Sequence, residues 1–200
     1  MILFAMGEDR KADASKGAVD GNTNTAPAKA STSGTVTKDY AVQAGGTLHL
    51  VFPKAWNDYP RQFKQKDDSM LQLIQFLPSD LTNIAVVVEY EPLSEDKLRN
   101  VDLKKLLADT GRLELPDSIE KSVEIRDLKG AQVEGAYFTL TDKHLLLALP
   151  QPGEFKYVAQ GFAKLPGLLL KFRIASNRFD SEAKQAAFEM IKTAGFTARR

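Results

Sequence analysis

The chain has 200 residues, 43% hydrophobic and 26% charged, values of a soluble globular protein rather than of a membrane-spanning or wholly unfolded chain. A net charge of +1, from 27 basic and 26 acidic residues without a basic stripe, argues against nucleic acid as a partner. The absence of cysteine excludes disulfides, thiolate metal sites and cysteine nucleophiles. This length predicts one self-contained domain.

The N-terminal region divides into two parts. Met1–Met6 (MILFAM) is apolar but too short to span a membrane, and we interpret it as the end of a signal peptide. From Gly7 to Thr37 the residues are small and polar and cannot bury enough surface to offset the entropy of ordering. We therefore expect a disordered tail over residues 1–37, one domain over 38–200, and export to the periplasm. The alternative is a cytoplasmic protein whose first residues are native.

The first half of the domain is predicted to be mostly strands. A strand at residues 40–42 and an alternating strand at 47–52 flank Gly45 and Gly46, which predicts a hairpin. Residues 56–68 (WNDYPRQFKQKDD) predict an irregular charged loop. Runs at 71–77 and 84–90 predict two more strands, and the second is apolar on both faces, as expected for a central strand covered by helices.

The second half is predicted to mix helices and hairpins. Ser94 is the expected N-cap of a helix that reaches Thr110, with a break near Asn100 and Gly111 just past the end. Strands are predicted at 123–128 and 132–141, then at 155–162 and 168–174 around the Pro166-Gly167 turn. The last element is an amphipathic helix from Asp180 as N-cap to Gly195, with an apolar stripe at Ala183, Ala187, Met190, Ile191 and Ala194.

Residues 144–149 (HLLLAL) allow two interpretations. Their length and composition favour a paired core strand. As a loop, the same residues would expose an apolar patch of the type that marks interfaces.

Together these elements predict an α+β fold, with a largely antiparallel sheet flanked by helices and a C-terminal amphipathic helix. The element order, with the signatures Phe52-Pro53-x-x-Trp56, VEIRDLKG at 123–130 and PGEFKY at 152–157, resembles exported bacterial proteins of the PsbP-like fold. That fold is named for an extrinsic photosystem II subunit and is shared by a Ran-binding nuclear import factor. The resemblance covers Tyr40 to the C-terminus and implies an α/β/α sandwich in a protein that binds another protein.

No catalytic constellation is visible in the sequence. The two histidines, His49 and His144, lie 95 positions apart, and the acidic residues follow no metal-binding spacing. A Gly-x-Ser-x-Gly elbow and a phosphate-binding glycine loop are both missing. We therefore predict no catalytic residue, no metal ligand and no cofactor, and interpret His49 as an ordinary strand residue.

The candidate binding residues lie close together in sequence. Trp56, Tyr59, Arg61 and Phe63 combine aromatic and guanidinium side chains of the kind that anchor partners, although Trp56 itself is expected to fill the core. The leading prediction is a non-enzymatic domain that binds a protein or assists an assembly. The alternative is a small-ligand or enzymatic module whose cleft lies near Trp56–Phe63 and Tyr157. A third hypothesis is a cytoplasmic interaction domain.

Overall fold

The computed structural model describes residues 34–43, 45–65, 70–78 and 83–199. Residues 1–33, which hold most of the predicted tail, lie outside this part. The first strand, β1 (Thr35–Ala41), starts at Thr35, so residues 35–37 belong to the sheet rather than to the tail.

Ten strands of the described chain form two antiparallel sheets. The small sheet has the order β1-β2-β10, with β2 at Gly46–Pro53 and β10 at Gly195–Ala198. The large sheet has the order β3-β4-β5-β9-β8-β7-β6. Its strands are β3 (Trp56–Lys64), β4 (Met70–Pro78), β5 (Ile84–Pro92), β6 (Arg126–Lys129), β7 (Glu134–Thr141), β8 (Tyr157–Leu165) and β9 (Leu168–Ser176). The predicted α+β fold with a largely antiparallel sheet is confirmed.

Three α-helices complete the described fold: α1 (Glu95–Arg99), α2 (Leu103–Glu114) and α3 (Glu182–Lys192). Ser94 caps α1 as predicted, and the predicted break occurs at Asn100, where α1 ends. Gly111 does not end the helix, because α2 continues to Glu114 and its buried glycine lets Val123 pack against the backbone. The N-cap of α3 is Ser181 rather than Asp180, since the Ser181 hydroxyl accepts a bond from the Lys184 amide.

The two faces of the large sheet are covered differently. The main core lies between one face, the small sheet and α3, and it includes Leu48, Leu50, Phe76, Phe172 and Met190. On the other face, α2 packs over β7 and β8 through Leu103 and Leu107. We call these the closed face and the half-covered face.

Candidate functional site

Trp56 belongs to the closed face. Its side chain is 7% exposed and lies in the main core, as predicted for a core residue. Two positions along, Asp58 also points toward the small sheet, where it accepts hydrogen bonds from the ammonium of Lys38 and, at 2.9 Å, from the hydroxyl of Tyr40. Burial raises the pKa of Asp58, but these two donors outweigh it and hold that pKa below its usual value.

Tyr59, Arg61 and Phe63 lie on the half-covered face. The predicted loop at 56–68 is wrong over residues 56–64, which form β3, and side chains alternate between the two faces of a strand. Tyr59 and Phe63 are 43% and 47% exposed. Arg61 lies between them, is exposed, and forms no ion pair among the described residues. The three side chains therefore make a row of two aromatic rings and one guanidinium.

Neighbouring strands extend this row into a surface. Phe63, Arg61 and Tyr59 lie opposite Leu71, Leu73 and Gln75 of β4, and Gln75 lies opposite Val87 of β5. All four of these neighbours are half-buried. We call the seven residues the β3–β5 patch; they are Tyr59, Arg61, Phe63, Leu71, Leu73, Gln75 and Val87.

The patch is open because the covering elements stop beside it. Helix α2 packs over β7 and β8, and its last residue, Glu114, reaches only as far as Arg173 of β9, with an Oε1–Nη1 distance of 3.5 Å. Beyond the end of the patch, Phe155 covers Ala85 and packs with Leu77. The half-covered face is thus covered at one side and at one end, and the residues that the structure describes leave the patch uncovered.

Charged and polar residues border the patch on the side of α2. Lys171 of β9 donates to Glu89 of β5 at 3.0 Å, beside a cavity of about 200 Å³. In the same border, Nε and Nη2 of Arg173 and Oε1 of Gln160 are buried without a hydrogen-bond partner in the described chain. Burial raises the pKa of Glu114, against the opposing effect of Arg173. This border is therefore polar, whereas Leu71 and Leu73 of the patch are apolar.

Tyr157 lies away from the patch. It opens β8, four places from β3 in the strand order, which corresponds to about 19 Å at the usual strand spacing. Tyr157 pairs with Ser176, which pairs with Ile84 of the main core, so the Tyr157 side chain lies on the closed face. There the centroids of the Tyr157 and Phe179 rings are 5.4 Å apart. The four cavities described in the structure are not lined by Trp56, Tyr59, Arg61 or Phe63. The structure therefore separates Trp56 and Tyr157 from the other three candidates.

His49 has two side-chain partners that were not predicted above. Its Nδ1 lies 2.7 Å from Oδ1 of Asp39 and its Nε2 lies 2.9 Å from the hydroxyl of Thr197. This order of acid, imidazole and hydroxyl is the one used to activate a nucleophile. Here the three residues sit on the small sheet, and the described cavities do not border them. We interpret the trio as a cross-strand network that joins β1, β2 and β10.

The predicted strand at 144–149 is wrong. After a short 3-10 turn at Lys143–Leu145, the chain forms a loop in which Leu146, Leu147 and Leu149 are 42%, 98% and 89% exposed. The second interpretation, an exposed apolar loop, describes this segment.

The largest described cavity lies at the opposite end of the sheet, between α1 and the turns after β6 and β8. It measures about 670 Å³ and is lined by charges of both signs, including Glu95, Arg99, Glu134 and Lys164.

In the described ranges, no group of three or more histidine, aspartate or glutamate side chains is placed to hold a metal ion. Within those ranges, no helix combines the length and apolar character needed to cross a membrane.

These features define an α+β domain with one closed and one half-covered sheet face. No family model and no curated protein matches the chain. A solved structure that does match is the solution structure of cyanobacterial PsbP from Synechocystis sp. PCC 6803, at 10% identity and a TM-score of 0.46. The alignment covers 81% of this chain and 92% of that chain. The element order of the sequence resembles the fold that is named for this protein.

Proposed function

We propose that this protein is a non-enzymatic protein-binding domain and that the β3–β5 patch is its docking surface. The observation that carries the proposal is the row Tyr59, Arg61 and Phe63, exposed on a strand whose neighbours Leu71 and Leu73 are only half-buried. Tyrosine and arginine are enriched among the residues that dominate binding energy. A partner that covers this row removes apolar surface from water and meets the exposed guanidinium of Arg61.

The size of the patch limits the kind of partner segment. Three strands at the usual spacing span about 10 Å, close to the diameter of one helix or the width of a short extended segment. Such a surface is much smaller than the roughly 800 Å² that each partner contributes to a standard stable interface. We therefore propose a transient complex in which a partner places apolar side chains on Leu71 and Leu73 and a carboxylate opposite Arg61.

We propose that this binding takes place in the periplasm. The support is in the sequence, where the apolar Met1–Met6 precedes a small-residue polar stretch as far as Thr37. Mass measurement of the mature protein in its natural host tests this part separately. A mature chain that retains Met1 would contradict export, while leaving the docking surface untouched.

Site-specific photo-crosslinking in the host tests the docking surface. Because Phe63 and Gln62 are adjacent on β3 and point to opposite faces, a photoreactive residue at each position forms a matched pair. We expect a discrete adduct from position 63 and none from position 62. The adduct at position 63 should weaken when Arg61→Glu is introduced. Equal adducts at both positions, or an adduct unaffected by Arg61→Glu, would contradict the proposal.

A further inference from the structure

The loop between β7 and β8 exposes a row of leucines that the β3–β5 patch does not include. Leu147 and Leu149 are 98% and 89% exposed, and Leu146 is 42% exposed. The nine residues from Leu145 to Gly153 contain no charged side chain. Contiguous exposed leucines of this kind are typical of a site that contacts a protein or a membrane.

The base of this loop is fixed to the domain. The Asp142 carboxylate accepts a hydrogen bond from the His144 amide at 2.8 Å, and the Lys156 ammonium donates to the Leu146 carbonyl at 2.9 Å. Phe155, just before β8, is buried against the half-covered face. An anchored base with an apolar tip presents the leucines outward instead of letting them collapse onto the sheet.

The chemistry of the tip favours lipid over a protein partner. Leucine is under-represented among the residues that dominate protein interfaces, and residues 146–149 offer no aromatic ring, charge or polar side chain for specific recognition. Lys143 and Lys156 flank the tip in sequence, and long cationic side chains of this kind interact with lipid headgroups. Acidic side chains at Asp117 and Glu154 offset part of this positive charge, so apolar insertion dominates over attraction to anionic lipid.

We propose that the Leu146–Leu149 tip inserts reversibly into the surface of a lipid bilayer. Irregular backbone cannot enter the hydrocarbon region without leaving its polar groups unpaired, so the tip stops at the boundary between headgroups and acyl chains. Three leucines carry fewer carbons than a myristoyl chain, which alone gives only marginal binding. The contact is therefore weak and serves to orient or concentrate the domain at a membrane.

A fluorescent label at the tip tests this insertion, because the chain has no cysteine of its own. The Leu147→Cys variant carries an environment-sensitive dye such as nitrobenzoxadiazole. The matched control is Ala131→Cys with the same dye, since Ala131 is exposed in the turn at the other end of β7. With phosphatidylcholine–phosphatidylglycerol vesicles, we expect a blue shift and brighter emission at position 147 and no change at 131. No change at position 147, or equal changes at both positions, would overturn the proposal.

Unlabelled variants provide a second test. Leu147→Ser with Leu149→Ser should lower co-sedimentation with the same vesicles by about tenfold, since most of the insertable apolar surface is lost. The circular dichroism spectrum and unfolding midpoint should stay unchanged because both side chains are exposed. Unaltered co-sedimentation would overturn the proposal, as would a dye response to host protein extract without any response to vesicles. Neither outcome depends on the β3–β5 patch.

Discussion

Asp58 links the small sheet to the large one at the scale of single residues. It accepts hydrogen bonds from Lys38 and Tyr40 of β1, and the effect of these donors keeps its pKa below the usual value. A carboxyl whose pKa is lower in the folded state stabilises the fold above its unfolded pKa, about 3.9. That contribution is lost as the pH falls through the folded pKa.

We therefore expect Asp58→Asn to lower the free energy of unfolding near neutral pH and to lose less stability on acidification than the parent chain. Urea unfolding near neutral pH and at about pH 3 measures both effects. Asp109→Asn is the control, because Asp109 is on the exposed side of α2 and its nearest cation, on Arg112, is 3.7 Å away. An equal difference between parent and Asp58→Asn at both pH values would contradict this explanation.

Gly161 shows how close packing on the closed face limits substitution. A Cβ at this position would lie 2.1 Å from Cζ of Phe172, a fully buried ring that cannot turn into solvent. We expect Gly161→Ala to lower the free energy of unfolding by about 1–3 kcal/mol, the usual cost of overpacking a core. Gly195→Ala is the control, since its nearest neighbours are 3.8 Å away. Similar stability of the two variants in chemical denaturation would show that the ring has room to move.

At the scale of elements, the sequence predicted those with a strong periodic signal. The hairpin through Gly45 and the hairpin of β8 and β9 combine alternating apolar residues with a turn, and both are confirmed. Strand β3 was missed because, after Trp56, all of its residues except the half-buried Asp58 are exposed and they include Pro60, so no apolar alternation remains. The strand predicted at 144–149 failed because an apolar run looks the same whether it is paired or exposed.

Strand β10 was also missed, and with it the partners of His49. Gly195 was expected only to end α3, whereas four residues from Gly195 pair with β2. Counting through the hairpin of β1 and β2 places Asp39 opposite His49, so this contact was available from the sequence. Thr197 was not, because its position depends on a short strand distant in the chain.

Removal of residues 195–200 should therefore destabilise the whole domain. The deletion removes the pairing with β2 and the packing of Phe196 against the main core. We expect the unfolding midpoint to fall by several degrees, by about 2–4 °C for each kcal/mol lost in a domain of this size. Thr197→Val is the informative control, because it keeps the strand and removes only the hydroxyl next to His49. A deletion variant as stable as Thr197→Val in a thermal scan would show that β10 contributes nothing beyond that contact.

At the scale of the whole molecule, the two faces of the large sheet are covered differently, and we propose that binding takes place on the half-covered one. The closed face carries the main core, together with Trp56. The half-covered face has α2 over β7 and β8 and leaves the β3–β5 patch exposed. The residue types of Tyr59, Arg61 and Phe63 were enough to predict them as candidate binding residues. Their separation from Trp56 and Tyr157 follows from strand alternation and sheet order. It could not be predicted because β3 was expected to be a loop.

Protection of single cysteines tests the docking surface most directly. In this cysteine-free chain, Phe63→Cys and Gln62→Cys place one thiol on each face of β3, and both positions are exposed in the isolated protein. We predict that the two purified variants react with a maleimide at similar rates, and that in host cells the thiol at 63 reacts more slowly than the thiol at 62, in proportion to the fraction of time that the transient partner covers the patch. Equal reactivity of the two thiols in cells would contradict a protein docked on the β3–β5 patch.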